Sequence, residues 1–271
     1  MKKLLKALSI ILSLAVVLGI LFQATVVNAA TKKTTVRTIT IGTGNAFKPY
    51  CYLDEKGQLQ GYEKEVLTAV FKKLPQYKIK FKTSEFKNIL LSLGSKKIDL
   101  AAHQFEVNPE RKAKFLYGDE SYTTFILRIV VKKDNTTTKG IADLAGKNVQ
   151  VSPGSNEAYV LEQYNKDHAD KALKLIYSSA DQATTVKNLQ DGKIDAFISI
   201  TRIVQALNKT FGDVIKTVGD PIASSNTYFI FRKEDKQLKA DVDKVLKELR
   251  KDGTLSKISI QILGGDYTTN D

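Results

Sequence analysis

Short β-rich apolar runs alternate with stretches of helical spacing along almost the whole chain, and that rhythm restricts the fold to the α/β class. Val36 to Ile41 and Lys78 to Phe81 alternate as strands. Between them Val66, Leu67, Val70, Phe71 and Leu74 fall on one helical face. The rhythm resumes with Asn148 to Val151 as a strand, a helix opening at Ser155-Asn156, and further strands at 173–177 and 194–198. Thr227 to Arg232 reads as a strand running back, and Leu238 to Lys251 as an amphipathic helix ended by Gly253. Mainly parallel sheets are expected. The two series join near 125–133 and again near 221–232, so the chain leaves one lobe, builds a second and returns. The division predicted is 36–128 with 225–271 for lobe 1, and 129–224 for lobe 2. Two such lobes enclose a cleft at their strand ends, and the two crossing strands can act as a hinge.

The first residues read as an address. Lys2, Lys3 and Lys6 form a basic start, Leu8 to Phe22 is apolar, and Val27-Asn28-Ala29 is a small-residue cleavage signal, which makes 1–29 a signal peptide. Residues 30–35 read as a flexible tail. The only cysteine, Cys51, lies well inside the chain, so the cleavage site offers no lipid-anchor cysteine and no internal disulfide can form. Localisation is expected to be secreted, at the extracellular cell surface. The charge of +13 falls to about +10 once the leader and its three lysines are gone, which suits anionic cell-wall polymers. Nucleic acid is not expected, because the lysines are scattered and no nucleic-acid motif is present. Two histidines far apart with no cysteine partner argue against a zinc site, and no cofactor is called for.

The chemistry concentrates around Arg111. The apolar run Ile98 to Ala102 leads through His103-Gln104-Phe105-Glu106-Val107 into Asn108-Pro109-Glu110-Arg111. An arginine just past a strand end, after a proline-defined turn, is placed to face a cleft. Its planar fork grips a carboxylate with two parallel hydrogen bonds, which lysine cannot do. The competing reading is a surface arginine that starts a helix. Ser155 and Asn156 follow a glycine turn at an apparent helix N-terminus, where free N–H groups and the dipole favour an anion.

Five motifs stand in order: Gly57 to Glu63, Leu93 to Arg111, Asp143 to Asn156, Leu189 to Ala196 and Leu249 to Lys257. Together they resemble the extracytoplasmic solute-binding proteins of polar amino-acid ABC importers, solute-binding family 3, over nearly all the chain after the leader. Asn108 to Arg111, Leu161 to Asn165 and the Gly265-Asp266-Tyr267 ending look most like the L-cystine-binding branch. The resemblance implies a two-lobe, type II periplasmic-binding-protein-like fold with two hinge crossovers. It also implies a monomer that captures a small amino acid and delivers it to an ABC permease. Arg111 matches the arginine that grips the ligand carboxylate, with Ser155 and Asn156 donating to the same group. Gln104 and Glu106 match positions near the ligand ammonium, and Phe47 matches an aromatic that packs on the ligand side chain or, equally, a core ring. His103 touches ligand or serves as a satisfied neighbour of the site.

One departure stands out. The family places an acid after the late strand to meet the ligand ammonium, and this chain has Ile200 there. An ammonium desolvated without an anion costs several kcal/mol, on the order of a buried unpaired charge. Either another carboxylate substitutes, or the ligand lacks a standard α-amino group, or ligand binding is altered or lost; Glu106 is the expected substitute, against its reading as a solvated loop acid. Cys51 beside the pocket loop is either a thiol able to exchange with a disulfide ligand or a small inert residue. Two other functions compete: a surface adhesin held electrostatically on the wall or on host matrix, and an enzyme of the same fold. The enzyme reading finds no paired nucleophile and base, so no catalytic residue is assigned.

Overall fold

The computed structural model describes residues 36–269. The expected leader, the cleavage point after Ala29 and the 30–35 tail lie outside the described residues. β1 (Arg37–Thr43) leads into a small antiparallel sheet of β2 (Ala46–Phe47), β3 (Cys51–Leu53) and β4 (Leu59–Gln60). α1 (Tyr62–Lys72), β5 (Tyr77–Thr83), α2 (Phe86–Gly94) and β6 (Leu100–Glu106) complete the first βαβ series. α3 (Pro109–Lys114) and β7 (Leu116–Tyr117) follow, and then β8 (Thr123–Lys132) crosses to the second lobe.

There β9 (Asn148–Val151), α4 (Asn156–Asp167), β10 (Lys174–Tyr177), α5 (Gln182–Gln190), β11 (Ala196–Ser199) and α6 (Thr201–Phe211) repeat the rhythm. β12 (Ile215–Phe231) carries the chain back, and α7 (Lys236–Lys251) and α8 (Thr254–Leu263) close the first lobe. The fold is the two-lobe, type II periplasmic-binding-protein architecture; apart from the β2-β3-β4 sheet, its strands form one mixed sheet ordered β10-β9-β11-β8-β12-β6-β1-β5, with β7 paired to β12.

Parallel pairing holds inside each lobe, between β1 and its neighbours β5 and β6, and between β9 and its neighbours β10 and β11. The expectation of mainly parallel sheets fails at the middle. β8 and β12 are antiparallel to each other and to the strands beside them, β11 and β6. β12 is also far longer than the expected 227–232, at 17 residues. Gly219-Asp220-Pro221 reads as a turn in sequence. In the fold it is an irregularity between Val218 and Ala223 where the ladder lapses, so the missing N–H of Pro221 breaks no bond.

The core follows the periodicity. Val66, Leu67 and Val70 of α1 are fully buried in the same core cluster as Ile39 and Ile41 of β1. A smaller cluster beneath α2 joins Ile89, Leu93, Ile98, Ala101, Phe105 and Ile230, which fixes the end of β6 on which the site is built.

Gly61 sets the start of α1. Its φ of 116° lies where side chains are strained, and a Cβ there would sit 2.3 Å from the Tyr50 carbonyl oxygen. That closeness has a use. The first helical N–H groups, of Tyr62 and Glu63, donate to the Pro49 and Tyr50 carbonyls at 3.0 and 3.1 Å, so the helix is capped by backbone in place of a side chain. Gly57 also has a positive φ, 72°, but a Cβ there meets nothing within 4 Å. Urea denaturation should therefore separate the two. Gly57→Ala should cost about 1 kcal/mol for its backbone conformation, and Gly61→Ala about 3 kcal/mol or more because backbone must also move.

Candidate functional site

A cavity of about 300 Å³ lies where the ends of β6 and β9 and the starts of α2, α4 and α5 converge. His103, Gln104, Glu106 and Arg111 reach it from the first lobe, with Phe47 and Phe86. Ser155, Asn156, Glu157 and Gln150 reach it from the second. All seven residues singled out in the sequence as site candidates line this one cavity.

Arg111 is placed by a short helix with a side-chain cap. Asn108 is extended, and its Oδ1 accepts the Arg111 backbone N–H at 2.9 Å, while Pro109 fills the first helical position where no N–H is needed. The guanidinium is only 7% exposed, which overturns the surface-arginine reading. Nη1 donates to the Glu106 carbonyl at 3.1 Å, and Nη2 crosses to the second lobe and donates to the Gly154 carbonyl at 2.6 Å. The rings of Phe105 and Phe86 flank it, at 5.3 and 5.9 Å. Both of its hydrogen-bond acceptors are neutral carbonyls, so the cation keeps attraction to give to an anion.

Glu106 ends β6 and is 2% exposed, so it is no solvated loop acid. Its Oε1 accepts from Asn156 Nδ2 at 3.0 Å and from the Ser225 hydroxyl on β12. Burial pushes its carboxyl up to about 7, helped by the nearby charge of Glu157 and opposed by Ser225, Asn156 and Arg111. Glu157 is itself shifted upward, chiefly by burial. Ser155 caps α4, with its Oγ accepting the Ala158 N–H at 3.2 Å. That leaves the earlier N–H groups of the helix start beside the cavity, the arrangement that favours an anion.

Gln104 has a left-handed backbone, φ 50°, which is uncommon outside glycine and falls beside the register shift between β6 and β12. Buried Glu63 holds it there. Glu63 Oε1 accepts the Gln104 backbone N–H at 2.6 Å, its side-chain Nε2 at 3.2 Å and the Tyr122 hydroxyl at 2.7 Å, while Oε2 accepts from Thr43 at 3.1 Å. Burial shifts the Glu63 carboxyl upward, and these donors oppose the shift. The turned Gln104 is 5% exposed, lines the cavity, and its Oε1 is a buried acceptor with no protein donor.

The apolar wall is aromatic. His103 stacks parallel on Phe47, with centroids 5.0 Å apart, and tilts against Phe86 at 4.8 Å. Phe47 lines the cavity and also packs on the core. Phe86 lines the cavity, whereas Ile89 belongs to the core beneath α2. Cys51 is 1% exposed and burial pushes its thiol up, which makes it the inert alternative. Ile200 is 1% exposed and packs in the core, so the position where the family has its acid does not front the cavity.

Sequence reasoning missed Glu157, Gln150 and Asp181, which also line the cavity. Each had a signal. Glu157 is an acid in the first turn after a cap, Gln150 a polar residue between the valines of β9, and Asp181 the cap of α5. Burial pushes the His103 imidazole down to about 4, with Arg111 adding to the shift. In a nuclear magnetic resonance titration its ring signals should stay those of a neutral imidazole from pH 8 to about 5.

Comparison with known proteins places this geometry. The family model for bacterial extracellular solute-binding proteins, family 3, matches residues 39–265. The L-cystine-binding protein TcyK of Bacillus subtilis (strain 168) is 43% identical over 233 residues, 86% of this chain and 86% of that protein. The L-cystine-binding protein TcyJ of the same organism is 41% identical over 232 residues, again 86% of each. Among solved structures, a putative L-cystine ABC transporter protein from Listeria monocytogenes superposes with a TM-score of 0.81 at 40% identity, over 86% of this chain and 99% of that one. A chain from the study of glutathione import via GshT and the cystine ABC importer TcyBC of Streptococcus mutans gives 0.80 at 33% identity, over 86% and 98%.

Proposed function

Because the chain belongs to the bacterial extracellular solute-binding proteins, family 3, we propose that it captures L-cystine between its lobes and delivers it to the permease of an ABC importer. One observation carries the reading: the buried Arg111 fork lies beside the α4 start, in a cavity that both lobes line. The relatives TcyK and TcyJ, at 43% and 41% identity, bear the name L-cystine-binding. The protein acts by binding alone, as a monomer, and carries out no chemistry on its ligand. It is exported by the leader, with cleavage after Ala29. The lobes meet at 128/129 on β8 and at 224/225 on β12.

Arg111, Ser155 and the N–H groups at the start of α4 take one carboxylate of the ligand. Glu106 takes the ammonium in place of the acid that Ile200 lacks, with Gln104 Oε1 as a second acceptor. Phe47, His103 and Phe86 pack on the disulfide-bearing middle, since sulfur sits well against ring faces and edges. The far end is polar, with Glu85, Lys87 and Asp181, and suits the second zwitterionic head of a two-headed amino acid. Exposed Asp181 keeps its carboxyl low because the Thr184 N–H donates to it, so a charge stands there at neutral pH.

Isothermal titration calorimetry with L-cystine, L-cysteine and L-arginine tests the reading. L-Cystine should bind most tightly, and absence of binding by L-cystine would overturn it. Arg111→Lys should weaken L-cystine binding at least about a hundredfold, because a point charge cannot replace the bidentate fork.

The pH dependence has a definite sign. In the ligand-free site Glu106 is largely protonated below about 7. An arriving ammonium requires the carboxylate, so below that point binding must release a proton. Affinity should therefore rise with pH, by up to about tenfold per unit between pH 5 and 7, and level off above. Glu106→Gln should lower affinity about thirtyfold or more, the worth of about 2 kcal/mol for a charged hydrogen bond, and flatten that profile.

A further inference from the structure

Arg202 lies in the first turn of α6, on the second lobe, yet its guanidinium is lodged among residues of the first lobe and the crossing strand. It sits 4.6 Å from the ring centroid of Tyr267, 5.4 Å from Tyr50 and 5.8 Å from Phe125. Nε donates to the Tyr50 hydroxyl, and Nη2 donates to the Thr124 carbonyl at 2.6 Å. Three ring faces and two neutral oxygens form a cage shaped for a planar cation. Arg202 does not line the cavity, although its neighbour Ile203 does.

The cage wall is itself strapped down. The Gly265-Asp266-Tyr267 ending binds across the root of β8. The Tyr267 carbonyl accepts the Thr124 N–H at 2.8 Å, and the Tyr267 N–H donates to the buried Ser259 hydroxyl on α8 at 2.9 Å. The next residue, Thr268, is 4% exposed, and its carbonyl accepts from Arg250 of α7 at 2.5 Å. Tyr50 is fully buried in the first-lobe core. The cage therefore belongs rigidly to one lobe and its occupant to the other.

We propose that Arg202 is a positioning residue for ligand capture: a latch that holds the lobes closed over the cavity without touching the ligand. The proposal rests on the reading of the cavity as a cleft that opens and closes. Its chemistry suits a contact that must break repeatedly. Among the described residues Arg202 has no acidic partner, so opening strands no buried carboxylate, and every group left behind is neutral. Arg232 is the contrast. It is fixed to Asp99 and Asp235 within the first lobe, at 2.6 Å each, the pattern of a permanent tie. Shifting the open–closed balance changes apparent affinity by the change in the closed population, and it acts on escape more than on entry.

The test uses full-length processed protein and the variants R202A, R202K, Y267L and Y267F. Small-angle X-ray scattering without ligand should show R202A and Y267L expanded relative to wild type. Stopped-flow binding of L-cystine should show their dissociation about tenfold faster, with association changed less than twofold. Y267F keeps the ring and should restore wild-type behaviour, and R202K should fall between. Ligand-free melting temperatures should change little, which separates a latch from a structural prop. Wild-type scattering and dissociation in R202A would overturn the proposal; should R202A not fold, R202K and Y267L decide on the same two readouts. If wild type binds no L-cystine, the functional reading fails, and the ligand-free scattering still decides the latch.

Discussion

A buried guanidinium whose two hydrogen-bond acceptors are both neutral carbonyls, with the Glu106 carboxyl close by, is the interaction around which this site is arranged. Arg111 is withdrawn from water, held between two carbonyl oxygens on opposite lobes, and padded by Phe86 and Phe105. A cation withdrawn from water and bonded only to neutral oxygens keeps attraction to give to an anion, which is what the proposed capture of a carboxylate uses. The rest of the site follows from it. Asn108 fixes the short helix, and the cluster under α2 fixes the strand that precedes it. Glu106, next to the cation and deprived of solvent, titrates near neutrality.

The two lobes are joined through a pair of crossing strands. β8 and β12 are paired with each other along most of their length, and each continues into a different lobe's ladder. Bending such a ribbon keeps its hydrogen bonds while the strand ends on either side separate. Contacts between Arg111 and Gly154, and between Glu106 and Asn156, span the lobes and are the ones that the proposed opening has to break. Ser225 on β12 reaches Glu106 from the crossing strand itself, so the buried acid touches all three parts.

Much of this was legible in the sequence, where one physical rule governs. The buried faces of α1 and β1 follow directly from the spacing of Val66, Leu67 and Val70 against Ile39 and Ile41. Arg111, Ser155 and Asn156 could be found because a strand end or a capped helix start is a local pattern. What stayed hidden depends on distant partners. Gly219-Asp220-Pro221 carries the composition of a turn, and only the pairing of Ile215–Val218 and Ala223–Thr227 with β8 on either side of it makes the segment an irregularity within one long strand. The left-handed Gln104 cannot be read from its neighbours, because Glu63, forty-one positions earlier, supplies the acceptor that stabilises it. Arg202 looks like an ordinary charged residue in a helix until the chain's last turn brings Tyr267 beneath it.

Gln104 has one more consequence. Its amide nitrogen is committed to Glu63, so the orientation of the side chain is locked and its oxygen stands dry at the cavity wall. A guest that brings an N–H there completes the pair. A guest of the same shape without one leaves a desolvated oxygen facing carbon, at a cost of roughly 1–3 kcal/mol. Such a wall would discriminate by what a wrong molecule omits, through the missing donor and not through size.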